Sequence, residues 1–196
     1  ALAAILDALG QVDFGAGRYA SGKKYFERAL QIQPQEPTSR AVVLSNAGQA
    51  CLALGEKRRA EEYFRQALHI LPKDPGLWHH LGQAVFLQGK LSEAESAYRE
   101  ALQLHTRDAT LWSDLAAVLA DRNGPEAGVA LLRHAVSASP AGQGRARILR
   151  NLAVFEWKTG ARHTAVDHLR AAVAEIEASV GRDHPDVALV LEDYSE

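Results

Sequence analysis

The chain has 196 residues, 24 acidic and 22 basic side chains, a formal charge of -2 and 47% hydrophobic residues. That balance excludes the basic footprint of a nucleic-acid or anionic-membrane binder, and the apolar stretches are too short to span a bilayer. One cysteine, Cys51, excludes an internal disulfide and points to a cytoplasmic setting. Residues 1–9 are apolar but carry no basic leader or cleavage pattern, so they read as a first helix rather than a signal peptide. The lack of an initiator Met and a stop inside a repeat suggest a piece of a longer protein.

In chain order, apolar residues recur at three-and-four spacing in pairs of segments, the pattern of paired amphipathic helices. The units begin near Ala3, Ala41, Pro75, Ala109 and Ala146, and a sixth begins at Ala188 and is cut off at Glu196. One alanine marks the same place in each second segment: Ala29, Ala67, Ala101, Ala135 and Ala172. From Ala29 to Ala67 is 38 residues, and the surplus is expected as a proline-punctuated turn over residues 34–40. Ala67 to Ala101 to Ala135 is two steps of 34. Here Leu44, Ala47, Gly48, Cys51, Gly55, Ala60 and Phe64 align with Trp78, Leu81, Gly82, Val85, Gly89, Ala94 and Tyr98.

Gly82 and Ala94 are small where two helices would cross, and a bulkier residue there would overpack by about 1 to 3 kcal/mol. Pro34, Pro72 and Pro140 stand where second helices should end. In the fourth unit Asn123-Gly124-Pro125 makes the internal turn, and Gly128 replaces the usual alanine at an expected cost of about 1 kcal/mol in helix propensity. From Ala135 to Ala172 is 37 residues, with the extra three near residues 141–144. The last unit lengthens to 42, from Ala146 to Ala188. One such unit cannot bury its own apolar face, so only the stack is stable.

These residues resemble the tetratricopeptide repeat, whose period is 34. The resemblance covers nearly the whole chain and implies an all-α fold. It would be a single solenoid array over residues 1–196, a right-handed superhelix of antiparallel helix pairs with five repeats plus the first helix of a sixth. The Gly-Arg-Asp-His-Pro-Asp join from Gly181 to Asp186 resembles the longer repeat of kinesin light chains, with Asp183 suited to a cap and Pro185 to a first helical position.

In this family the first helices line a concave groove. The resemblance carries groove roles to Asn46, Gln49, His79, His80, Gln83, Phe86, Asp114, Arg147, Arg150, Asn151, Trp157 and Lys158. Each Asn or Gln offers both a donor and an acceptor, which suits the backbone of an extended peptide. Asn46 and Asn151 resemble the asparagine ladder of O-linked N-acetylglucosamine transferases, interrupted here by His80 and Asp114. The set that clasps the terminal carboxylates of heat-shock chaperones is absent, because Asp7, Gln11, Gly76 and His80 occupy its places and only Asn46 agrees. Without those cations a carboxylate loses its charge-assisted hydrogen bonds. Arg147, Arg150 and Lys158 instead favour a partner with an acidic segment.

No catalytic constellation emerges. Neighbouring His79 and His80 point about 100° apart on a helix and suit one metal ion poorly, as do His163 and His168 five residues apart. Gly15-Ala16-Gly17 and Gly142-Gln143-Gly144 follow no strand and precede no Lys-Ser or Lys-Thr, so neither reads as a phosphate loop. The expectation is a non-enzymatic scaffold that binds a protein or peptide, with no cofactor, metal, nucleic acid or membrane. Two further readings are a substrate-recruiting arm of a larger enzyme such as a glycosyltransferase, and self-association through the C-terminal end.

Overall fold

A computed structural model describes residues 1–32, 36–105 and 108–181. These residues form α-helices joined by short turns, with no strand among them. They fall into two compact units, Ala1–Leu104 and His105–Glu196. The first holds α1 (Leu2–Gly15), α2 (Tyr19–Gln31), α3 (Pro37–Ala53), α4 (Lys57–Ile70), α5 (Pro75–Phe86) and α6 (Leu91–Leu104). The second holds α7 (Ala109–Asn123), α8 (Pro125–Ala138), α9 (Gln143–Lys158) and α10 (Arg162–Val180). The join at Gly181 to Asp186 falls, after its first glycine, on residues outside those described, and so does the helix expected from Ala188.

Within each unit a helix packs chiefly against its neighbours in sequence, giving the pairs α1–α2, α3–α4, α5–α6, α7–α8 and α9–α10. The marker alanines Ala29, Ala67, Ala101, Ala135 and Ala172 are all fully buried. They leave room for the next helix: Phe26 and Ala29 of α2 meet Val43, Ala47 and Ala50 of α3. In the second unit Leu132 and Ala135 of α8 meet Ile148 and Leu152 of α9. The turns repeat as well. Gly55 and Gly89 both adopt φ of 76°, a left-handed conformation that suits glycine. Each closes the same pattern, Glu56 N–H to Cys51 O at 2.8 Å and Lys90 N–H to Val85 O at 3.0 Å.

Two expectations change. The surplus between Ala29 and Ala67 is not all turn, because α3 starts at Pro37 and residues 37–40 are helical. A proline at the first helical position has a preset φ and lacks an N–H that would go unpaired there, so it opens a helix as readily as it ends one. Likewise α9 starts at Gln143, inside the stretch expected to hold the later surplus. Gly128 is the second correction. A β-carbon there would lie 2.8 Å from the backbone oxygen of Ala116 and 2.8 Å from Phe155 Cε1, so close packing rather than helix propensity decides the residue.

Candidate functional site

The face that the sequence singles out in the first unit is built from α1, α3 and α5. Asp7 accepts from Gln11 Nε2 at 2.7 Å and from Asn46 Nδ2 at 2.9 Å, so one carboxylate ties α1 to α3. One turn along α3, Gln49 Nε2 donates to Ser45 Oγ at 3.4 Å. On α5, Gln83 Nε2 and His79 Nε2 lie 3.2 Å apart. The amides expected to face a ligand therefore also hold neighbouring side chains. Each keeps a carbonyl oxygen that these hydrogen bonds do not use.

His80 is half-buried, and its ring stacks on Phe64 with centroids 5.3 Å apart and planes 20° apart. The His79 ring lies 5.7 Å from it and 5.9 Å from that of Tyr98. Burial, with the His79 ring beside it, pulls the His80 pKa down to about 4, so the imidazole is neutral at pH 7. Its Nδ1 is buried without a hydrogen-bond partner. Between α3 and α5 lies a recess of about 170 Å³ whose lining includes Val42, Ser45, Asn46, Asp74, Gly76 and His80. Asp74 also caps α5, accepting from Leu77 N–H at 3.0 Å. Of the expected residues, Asn46 and His80 share this recess; Gln49, His79 and Gln83 stand outside its lining, and half-buried Phe86 ends α5.

In the second unit Asn151 Nδ2 donates to Ser113 Oγ, and Ser113 Oγ donates to Ala109 O at 2.9 Å, so an amide again bridges two first helices. Half-buried Asp114 follows Ser113 on α7. Along α9, Arg147 is exposed, Arg150 half-buried and Lys158 exposed. Trp157 is 44% exposed, and the Arg162 guanidinium carbon lies 5.2 Å from its ring centroid, a cation–π contact.

Sequence reasoning missed Glu156. It is fully buried, with Oε1 accepting from Arg133 Nη2 at 2.7 Å and Oε2 2.7 Å from His168 Nδ1. By repeat register it stands where Cys51, Val85 and Leu119 stand in the second, third and fourth units and Asp13 in the first. A carboxylate at a core position was the signal available. Cys51 itself is fully buried, and burial together with the Glu56 carboxylate pushes its thiol up to about 12. Among the described residues no group of three or more His, Cys, Asp or Glu converges as a metal site would require, and no helix is long and apolar enough to cross a membrane.

Three models of the tetratricopeptide repeat match the sequence, over residues 1–73, 45–110 and 145–186. No curated protein matches it. Among solved structures, MamA from Desulfovibrio magneticus RS-1 is 17% identical with a TM-score of 0.68, covering 89% of this chain and 97% of that one. TTC0263, a thermophilic protein with the same repeat from Thermus thermophilus, is 22% identical with a TM-score of 0.65, covering 98% and 97%. YrrB, described as having an unusual peptide-binding site, is 16% identical with a TM-score of 0.60, covering 97% and 91%. At such identities the likeness concerns the fold.

Proposed function

The chain belongs to the tetratricopeptide repeat family, and from that premise we propose that it is a non-catalytic scaffold whose first helices bind an extended peptide segment of a partner protein. The observation that carries this reading is the recess between α3 and α5. Its walls supply an amide at Asn46, a hydroxyl at Ser45 and a neutral imidazole at His80, beside apolar Val42 and Leu77 and the Asp74 carboxylate, which is engaged in capping α5. Such a mixture suits a side chain and its flanking peptide groups, because neutral donors and acceptors satisfy backbone N–H and C=O without demanding a charge. The peptide-binding description of YrrB is in keeping with it.

On α9 the chemistry differs. Arg147, Arg150 and Lys158 bring positive charge to a helix that also exposes Val154 and Trp157. This favours an acidic segment with an apolar residue, steered in by charge and held by contact with the indole. The 19-residue α10 is consistent with reading the fifth unit as the longer, kinesin-light-chain-like subtype.

The test is selection of peptides from a displayed random library on the purified chain, followed by anisotropy titration of a selected peptide. Replacing Asn46, Gln49 and Gln83 together by alanine removes up to three hydrogen bonds of about 0.5 to 1.5 kcal/mol each and should weaken binding at least about tenfold. Replacing exposed Arg58 and Glu62 of α4 should leave it unchanged. Equal losses from both sets would place the ligand elsewhere.

A further inference from the structure

A larger recess, of about 600 Å³, lies between α3 and α4. Its lining joins apolar Pro37, Leu44 and Ile70 to Arg40, Arg65 and His69, with no acidic residue among the described ones. Leu44 and Asn46 stand two residues apart, about 200° around the helix, so this recess and the one that Asn46 lines use different faces of α3.

Repeat register shows why the space is open. Leu44 stands where the third and fourth units have Trp78 and Trp112. In the fourth unit the Trp112 ring packs on the cluster that holds Leu132 and Ala135 of α8 and lies 6.5 Å from the His134 ring. His134 is the register counterpart of Gln66, which also lines the recess. The place that an indole takes in the fourth unit is thus left to a shorter side chain in the second. Helix α2 packs on α3 and α5 packs on α4, and every lining residue belongs to the first compact unit. The recess is therefore internal to that unit and is not made by a chain end.

The charges give the occupant its sign. Arg65 already pairs with Glu61 at 2.8 Å and with Glu93 at 2.6 Å. Half-buried Arg40 makes no ion pair among the described residues. A guanidinium that has given up part of its water on an apolar wall, without gaining a carboxylate in exchange, suits a carboxylate brought from outside through charge-assisted hydrogen bonds. An aromatic ring suits the apolar part of the same space, as Trp112 does in its own unit.

We propose that the recess between α3 and α4 is a second docking site, independent of the one that Asn46 and His80 share, for a partner-protein segment with an aromatic residue beside an acidic one. The ring sits over Leu44 and the carboxylate pairs with Arg40. The test titrates the isotope-labelled chain with the capped peptide Gly-Asp-Trp-Glu-Gly and follows backbone amide shifts by NMR, with circular dichroism on each variant. Amides of Leu44, Gln66 and Ile70 should shift and saturate. Alanine for the peptide's tryptophan, or lysine for its two acids, should weaken binding at least about tenfold. Leu44→Trp should fill the recess and abolish binding with helix content unchanged. Arg40→Glu should weaken it at least about tenfold, and decides the matter should Leu44→Trp fail to fold. The triple alanine variant at Asn46, Gln49 and Gln83 should bind this peptide as the wild type does, so the two sites fail separately. No saturable shift, shifts confined to Ser45 and His80, full binding by a folded Leu44→Trp chain, or free indole-3-acetate binding as tightly as the peptide would overturn the proposal.

Discussion

Gly82 lies against the ring of Tyr98, so that a β-carbon on Gly82 would come 2.6 Å from Tyr98 Cε1. Gly48 stands in the same relation to Phe64, also at 2.6 Å, and Gly10 to Phe26. The Tyr98 and Phe64 rings are essentially inaccessible and have nowhere to retreat. Gly82→Ala should therefore lower stability by about 1 to 3 kcal/mol despite the better helix propensity of alanine. Urea denaturation would read this as a lower midpoint. Gly15→Ala, where nothing lies within 4 Å of the new β-carbon, should bring no such loss.

Gly128→Ala provides a sharper test, because propensity alone predicts a gain of about 1 kcal/mol. The added carbon would meet the Ala116 carbonyl oxygen, a backbone atom that cannot swing aside. A net destabilisation in the same assay is expected, and a net gain would show that α7 and α8 can part without cost.

Glu156 is an ion-paired carboxylate in a place that the second, third and fourth repeats fill with Cys51, Val85 and Leu119 and the first with Asp13. Its partners reach water, Arg133 with 56% of its side chain exposed and His168 with 29%. Glu156→Leu should accordingly be neutral or stabilising, since no charge is left buried alone. Arg133→Ala removes a donor while the carboxylate stays inside, and should cost about 1 to 3 kcal/mol. Thermal melts of the two variants would have to rank in that order.

His80 should make stability fall on mild acidification. The unfolded chain takes up its proton near the ordinary value of 6.5, whereas the folded imidazole resists until about 4. Stability is then full above about pH 6.5, declines by up to about 3 kcal/mol as pH drops toward 4, and is flat with respect to this group below that. His79 and Asp74 act on it from α5 and its cap, and Phe64 packs on it from α4. Three paired carboxylates titrate lower: Asp13, through Ser21 and Arg18, Glu56, through Lys23, and Glu61, whose burial is outweighed by Lys90 and Gln88, are held below the ordinary carboxylate range. Their contribution is present above that range and is lost only as pH falls through their lowered values. Comparing wild type with His80→Leu by urea unfolding between about pH 5 and 7 isolates the histidine, because the slope should vanish in the variant.

The paired helices were legible because small residues recur where backbones must approach, and Ala29, Ala67 and Ala101 announce that spacing without knowledge of their neighbours. The start of α3 was not, since Pro37 reads equally as a breaker and as an opener until the residues after it are seen to be helical. The polar partners were hidden for another reason. Asn46 finds Asp7 39 residues away and Glu156 finds Arg133 23 residues away, distances that no periodicity encodes. A charge at an apolar register position reads as a solvated exception until its partner is located. For the candidate site, Asn46 and His80 were placed together by repeat register, while the recess they share depends on side-chain volumes that register does not specify.

Because each helix within a unit rests mainly on the one before and the one after it, native contacts form between residues close in sequence. Closing the short turns at Gly55 and Gly89 costs little chain entropy, so a single helical pair can condense before its neighbours have ordered. Folding can thus begin at more than one pair and grow along the chain, and opening can run in reverse from a unit's margin while its middle stays shut. Native-state hydrogen exchange would register this as graded protection, greatest in α3 and α4 within the first unit, rather than one global transition.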